Sequence, residues 1–311
     1  MTAQSNLGSV VVGCDGSWQS QAAVAVATRE AARRGGPLVL LAVARRGGMP
    51  KGLSDLRQYA DSTLESARAV GIRAAEVAEA TDPSVAAHVV VAPTVDAEEV
   101  EEVRRSAALL VLGGTGSRGQ AAFSLGSTSR DLARRFRVPV LVPRVEGASA
   151  RPVDDRHPQV HVGWSGRRSE TSLLRLAARE ARLRGWSLDV LHAVPRSQPG
   201  DRLRQDQDAA WQAVHAVPEC AEVPCRVEVV YDEPVAALVS RCAPGDLLLV
   251  ATRGGGTLAG LVRGSVARGV LDVLPCDVIV VPPSWAAGVA EVREIATTIP
   301  TTETALDGAA R

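Results

Sequence analysis

Lysine is nearly missing from this chain of 311 residues, where Lys51 stands alone against 34 arginines. That lysine follows no G-x4-G-K-[S/T] stretch, which excludes a Walker phosphate loop. Neither sign of charge is in excess, with 35 acidic and 35 basic side chains. Nothing electrostatic therefore invites nucleic acid or an anionic membrane. No apolar run comes near the ~18 to 20 residues that cross a bilayer, so no membrane partner is expected. The opening stretch MTAQSNLGSVVVG lacks a basic segment followed by an apolar core and does not read as a secretory signal. Cysteine is sparse, odd in number and scattered: Cys14, Cys220, Cys225, Cys242 and Cys276. Without an export signal these read as reduced thiols, and a cytoplasmic location is expected.

A catalytic set is missing too. There is no G-x-S-x-G elbow. His157 and His161 are four apart, but Pro158 argues against a shared helix face. His192 is expected to be packed and hydrogen-bonded near a strand end, and Cys14 to be a small buried residue. Cys220 and Cys225 flank Pro224 with no second pair, which argues against zinc. No protein-held metal is expected.

What is present is a repeat. SVVVGCDGSWQSQAAVAVATREAARRGG from Ser9 aligns with QVHVGWSGRRSETSLLRLAAREARLRGW from Gln159, an offset of 150. Gly13, Gly16 and Gly35 fall on Gly163, Gly166 and Gly185, and Arg29-Glu30-Ala31 falls on Arg179-Glu180-Ala181. Near the ends, LGSTSRDLARRFRVPVLVP from Leu125 aligns with RGSVARGVLDVLPCDVIVV from Arg263 at an offset of 138. The second copy is thus shorter inside, mostly between its second and third strands.

Each copy alternates short apolar runs with stretches of helical periodicity. The strands predicted in the first copy are Val10–Cys14, Leu38–Val43, His88–Val91, Leu109–Leu112 and Val140–Val142. Those in the second are Val160–Trp164, Leu188–His192, Val227–Val230, Leu247–Val250 and Val278–Val281. Helices are predicted over Gln19–Arg34 and Glu170–Arg184, and the acidic run Asp96–Glu102 is read as the start of the first copy's third helix. Strand–helix alternation predicts an α/β fold. Its form is two tandem Rossmann-like, doubly wound domains, each a five-stranded parallel sheet in the order 3-2-1-4-5 with helices on both faces. The polar stretch around Gly147, Pro152 and Pro158 reads as a linker. The expected domains are 1–146 and 159–283, joined by 147–158 and followed by a loose tail over 284–311.

The informative segments follow the fourth strand of each copy: LLVLGGTGSRGQAAFSLGSTS and LLLVATRGGGTLAGLVRGSVA. Each runs from a buried strand through a glycine loop into Gly-Ser at a helix start. Glycine lets backbone amides approach a ligand, and a helix N-terminus adds N–H donors, a pairing that suits phosphate. Gly114–Gly119 fits G-x-G-x-x-G. It follows the fourth strand rather than the first, so it is not read as a dinucleotide fingerprint.

On these residues the chain resembles the universal stress protein family in its tandem form. The resemblance is carried by V-V-G-x-D-G-S at Val11–Ser17, by A-x-R-E-A in both copies and by the two glycine loops. It implies an adenine nucleotide α-hydrolase type of fold. It also implies an ATP site with G-x2-G-x9-G-[S/T] after strand four, an aspartate after strand one and backbone contacts to adenine after strand two. Val43 and Ala193 fall at the adenine position. In the first copy the aspartate is Asp15. Framed on Gly116 and Gly119, its loop has only six residues before Gly126-Ser127 where the pattern has nine, so a shortened cradle is expected. In the second copy nine residues separate Gly254 from Gly264-Ser265. There Ala251 replaces the first glycine and Ser165 replaces the aspartate, while Arg253 stands beside the loop. The expected ligand is therefore ATP, with magnesium, held mainly in the second copy.

Three functions are in view. The first is an adenine nucleotide-binding sensor or regulator of a stress response, with at most slow ATP hydrolysis. The second is an interaction module that needs no nucleotide. The third, an enzyme such as an ATP pyrophosphatase, is disfavoured because G-C-D-G-S and G-W-S-G-R lack the S-G-G-x-D-S pattern. The fifth strands leave open edges, and the resemblance implies that these edges pair within the chain as a pseudo-dimer, with a homodimer of chains as a further possibility.

Overall fold

The structure is a computed structural model that describes residues 8–44, 56–114, 124–144, 156–167, 170–194, 203–252, 265–282 and 285. Strands and helices alternate along it. The first half runs β1 (Ser9–Cys14), α1 (Trp18–Arg34), β2 (Leu38–Val43), α2 (Leu56–Thr81), β3 (Ala87–Ala92), α3 (Glu98–Ser106), β4 (Ala107–Val111), α4 (Ser127–Phe136) and β5 (Val140–Val142). The second runs β6 (Gln159–Gly163), α5 (Thr171–Arg184), β7 (Ser187–Val194), α6 (Leu203–His215), β8 (Cys225–Tyr231), α7 (Pro234–Arg241), β9 (Leu247–Ala251), α8 (Ser265–Val273) and β10 (Asp277–Val281). Strand ends differ from the sequence expectation by at most two residues, and β2 and β5 match it at both ends. The acidic run does open α3, with Glu98, Glu99 and Glu101 in its first turn.

The strands form one sheet in the order β3-β2-β1-β4-β5-β10-β9-β6-β7-β8. Neighbours are parallel except at the centre, where β5 and β10 run antiparallel with Val142, Leu141 and Val140 opposite Val278, Ile279 and Val280. The sheet is therefore mixed. The expected fifth-strand edges do meet, and each covers the unpaired N–H and C=O groups of the other.

Strands rich in Val and Leu suit a sheet buried on both faces. Alternate residues point to opposite faces: Val10 and Val12 join the core under α1, α2, α5 and α6, while Val11 joins the core under α3, α4, α7 and α8. Ser17 caps α1 by accepting the Ser20 N–H, and Gly35 closes the helix in the left-handed region with φ 62°. The predicted shortening of the second half falls between β7 and β8, where α6 has 13 residues against the 26 of α2. Among the described residues no helix is long and apolar enough to cross a membrane. The predicted tail lies outside the described residues apart from Trp285, and so does most of the predicted linker.

The repeated R-E-A helices meet each other. Arg34 Nη2 lies 3.3 Å from Glu30 Oε2 and 2.6 Å from Glu180 Oε1. Arg184 Nη2 lies 2.6 Å from Glu30 Oε1, and its Nη1 pairs with Glu180. The four residues close a ring of alternating charge between α1 and α5. Burial opposes ionisation of Glu180, but the Arg34 and Arg184 guanidiniums overcome it and hold the carboxyl below its usual range.

Candidate nucleotide crevice

In a doubly wound sheet the crevice lies beyond the carboxyl ends of the strands, where the order reverses. Here that place is the gap between β1 and β4, and between β6 and β9. Asp15 follows β1 directly and is exposed. Its Oδ1 accepts from Ser17 N at 3.0 Å and Ser17 Oγ at 2.5 Å. Gly16, with φ +80°, makes the turn that brings the chain into α1. A Cβ at Gly16 would lie 3.1 Å from Val70 Cγ2 and 3.7 Å from Arg73 Nη2, which places an α2 guanidinium beside this turn. The sequence showed no sign of Arg73, because it comes from a helix more than 50 residues on. Val43 runs one residue past the last β1–β2 pair, Cys14 with Ala42.

Strand register corrects the frame of the first glycine loop. Val10 on β1 pairs with Leu109 on β4, and its counterpart Val160 on β6 pairs with Leu247 on β9. Leu109 and Leu247 are therefore equivalent, at the 138 offset. The same offset puts Gly113 on Ala251, Gly116 on Gly254 and Gly126-Ser127 on Gly264-Ser265. Nine residues separate Gly116 from Gly126, so the first loop has the full G-x2-G-x9-G-S spacing and is not shortened. Gly119 is a residue within the loop, not its second glycine. Gly113 was the missed residue, and the offset at Leu125 and Arg263 was the signal that could have found it.

The first-half cradle is built to glycine's dimensions. A Cβ at Gly113 would sit 2.8 Å from the backbone carbon and oxygen of Gln19 and 3.0 Å from Ser20 N. Only glycine lets the end of β4 lie against the first turn of α1. At the other end of the loop Gly126 is the N-cap of α4 with no side-chain capping bond, and a Cβ there would meet nothing within 4 Å. Arg130 Nη2 donates to Leu125 O at 3.1 Å and holds the chain entering that helix. Gly116, Gly119, Arg253, Gly254 and Gly264 lie outside the described residues.

The second half differs at each matching place. Ala251 ends β9 where the first half has Gly113. The helix α5 is described from Thr171, the counterpart of Gln21. Ser165 stands for Asp15, and Glu170 for Ser20. The carboxylate has changed sides of one local contact. Ser165 N and Oγ donate to Glu170 Oε2 and Oε1 at 2.7 and 2.6 Å. Where the first half has Cys14 and Ala42, the second has Trp164 and His192, with rings 5.2 Å apart. His192 Nδ1 donates to Trp164 O at 2.9 Å, and its ring lies against Gly166. That is the packed role expected for it, although β7 runs on past it to Val194, with Ala193 opposite Val230.

A second polar cluster escaped the sequence reading. His161 sits on β6 between two carboxylates, Asp189 Oδ2 at 3.1 Å and Asp246 Oδ2 at 3.2 Å. Asp246 also accepts from Gln159 N and Ala243 N and pairs with Arg156. Burial alone would discharge His161, but the two carboxylates raise its pKa from 6.5 to about 9. Beside the cluster a cavity of about 460 Å³ opens among Gln159, His161, Asp189, Cys225, Arg226 and Arg241. All but Arg241, the last residue of α7, lie in the first halves of β6, β7 and β8, so the cavity is at the opposite end of the sheet from the crevice. Pro158 hid the cluster, because the partners of His161 come across the sheet and not along a helix.

The profile of the universal stress protein family matches residues 7–144 and 159–282. Universal stress protein Rv2005c of Mycobacterium tuberculosis is 30% identical over 291 residues, covering 87% of this chain and 96% of that protein. Universal stress protein Rv2623 of the same organism is 30% identical over 305 residues, covering 89% and 96%. Among solved structures, a universal stress protein from Archaeoglobus fulgidus superposes with a TM-score of 0.61 at 18% identity, over 88% of this chain and 98% of that one. The functionally unknown protein PA1789 from Pseudomonas aeruginosa gives 0.54 at 16%, over 91% and 95%. With both halves matched by the profile and the fold shared with solved relatives, the chain belongs to the universal stress protein family.

Proposed function

We propose that this chain binds one adenine nucleotide, ATP with magnesium, in the first-half crevice and acts in the cytoplasm as a nucleotide-dependent regulator of a stress response. The observation that carries this reading is Gly113. Its missing side chain is what keeps the β4 end and the start of α1 together beside Asp15, in a loop of full spacing. The donor set fits a nucleotide: glycine-loop amides and the start of α4 for phosphate, Asp15 for a sugar hydroxyl or magnesium, and Val43 backbone for adenine. A bound nucleotide would supply the phosphoryl group for any slow hydrolysis. In this reading the described residues near the crevice hold and orient the nucleotide. Ala251, Ser165 and the Trp164–His192 pair make the second half the altered copy, reversing the preference that the shortened frame had suggested.

The test is to purify the protein, denature it and identify released nucleotide by mass spectrometry, then titrate ATP with magnesium by calorimetry. About one nucleotide per chain is expected. Gly113→Ala and Asp15→Asn should each lose it, while Gly264→Asp in the second half should keep it. If Gly264→Asp loses binding and Gly113→Ala does not, the working site is in the second half. If wild type neither retains nucleotide nor binds millimolar ATP, the chain is an interaction module that works without it.

A further inference from the structure

Val11 on β1 pairs with Val39 on β2, and both are buried in the apolar core under α3 and α4. Their counterparts at the 150 offset, His161 on β6 and Asp189 on β7, pair in the same register. Asp189 in turn pairs with Arg226 on β8. Cross-strand neighbours point to the same face. A polar row therefore stands in the second half where the first half is apolar. Burying such groups is costly, and the first half shows the same fold made without them. The row lines the cavity of about 460 Å³, whose rim Arg241 completes. We propose that this cavity binds a small hydroxycarboxylate, whose carboxylate is held by Arg226 and Arg241 and whose hydroxyl donates to Asp189.

The carboxylate follows from the charges at the rim. Arg226 Nη2 donates to Glu228 Oε2 at 2.6 Å. Arg241 Nη1 reaches the same oxygen at 2.9 Å, and its Nη2 pairs with Glu228 Oε1. Two guanidiniums share one carboxylate, which leaves one positive charge at the cavity. Deeper in, the charges balance. Both ring nitrogens of His161 face carboxylate oxygens, at 3.1 Å from Asp189 and 3.2 Å from Asp246. A neutral imidazole has only one N–H, so a ring with two such partners is the cation. His161 and Arg156 therefore offset Asp189 and Asp246. One further carboxylate, matched to a guanidinium fork, neutralises the rim.

The hydroxyl follows from Asp189. This residue is 7% exposed. Its Oδ2 is taken by His161, while its Oδ1 is buried and has no hydrogen-bond partner among the described residues. A buried acceptor left unpaired is costly, and a donor that reaches it removes the cost. A ligand hydroxyl supplies that donor. An ammonium group would also donate, but it would cancel the negative charge that the rim calls for. The cavity volume falls in the range of roughly 300–1,000 Å³ usual for small-molecule sites. The site lies at the start of the strands, away from the nucleotide crevice, so none of this depends on nucleotide binding.

The experiment is calorimetry on the full chain at pH 7 and constant ionic strength. The probes are lactate and 3-hydroxybutyrate, each set against the acid that lacks the hydroxyl, propionate and butyrate, with alanine as the ammonium analogue. At least one hydroxy acid should bind about tenfold or more tightly than its deoxy partner, and lactate should bind more tightly than alanine. The double variant His161→Val with Asp189→Val restores the residues of the first half. It should stay folded and bind the hydroxy acid no better than the deoxy acid. Arg241→Gln should weaken both acids alike. The proposal is overturned if neither hydroxy acid binds by about 10 mM, if hydroxy and deoxy acids bind equally, or if the double variant keeps the preference. The first two outcomes are read on the wild-type chain, so a variant that fails to fold does not decide the question.

Discussion

At the residue scale His161 makes the clearest pH prediction. Its folded pKa, about 9, lies above the ordinary 6.5. A raised value means that the charged, carboxylate-bound form stabilises the fold. That stability is complete below about 6.5 and is lost as pH rises through about 9. The span corresponds to at most about 3 kcal/mol at 1.36 kcal/mol per unit. Chemical denaturation between pH 6 and pH 10 should show the decline in a Cys242→Ser background, which keeps the thiol from titrating in the same window. Adding His161→Gln should flatten the curve, and an unchanged slope would mean the imidazole is not the group responsible. Nothing in the sequence marked Asp189 or Asp246 as partners of His161. Residues from three different strands or strand-entry turns converge only when the sheet forms. Gly113 is the opposite case: it was readable from the 138 offset once the strands fixed which leucines correspond.

At the element scale the ring of Glu30, Arg34, Glu180 and Arg184 joins α1 to α5. All four side chains are at most 9% exposed, so each charge depends on the others for compensation. Removing Glu180 leaves the buried guanidiniums of Arg34 and Arg184 sharing the Glu30 carboxylate, so one buried charge is uncompensated. Glu180→Ala is expected to lower the urea-derived stability by about 3–5 kcal/mol, whereas replacing all four with apolar residues of similar volume should cost far less. A loss below about 1 kcal/mol for Glu180→Ala would show that the charges are compensated by water instead. The i, i+4 spacing of Glu30 with Arg34 was visible in each copy. That the two helices present these pairs to each other was not, because helix periodicity says which residues share a face and not what covers it.

At the scale of the whole molecule, the seam between β5 and β10 turns two half-sheets into one sheet of mixed direction. β5 pairs β10 through only three residue pairs, Val140–Val142 against Val278–Val280, so the charge ring and the packing of α1 on α5 supplement a short ladder. Residues 1–146 expressed alone would leave β5 as an open apolar edge. That fragment is expected to dimerise, and to pair with residues 159–283 when the two are mixed, as read by size-exclusion chromatography with light scattering. A fragment that stays monomeric at high concentration would show that the edge is not the driving surface.

By itself the sequence determined the α/β class, the two copies and every strand to within two residues, all of which follow from local periodicity. The meeting of the fifth strands was implied by the family resemblance, because an open edge needs hydrogen-bond partners but does not name them. Tertiary structure alone decided the fit of Gly113 against the first turn of α1, the contact of Ser165 with Glu170, the charge ring and the pairing of His161 with Asp189 and Asp246. Each of these depends on distances between segments far apart in the chain. Such distances are set by strand register and helix packing, and no window of sequence contains them.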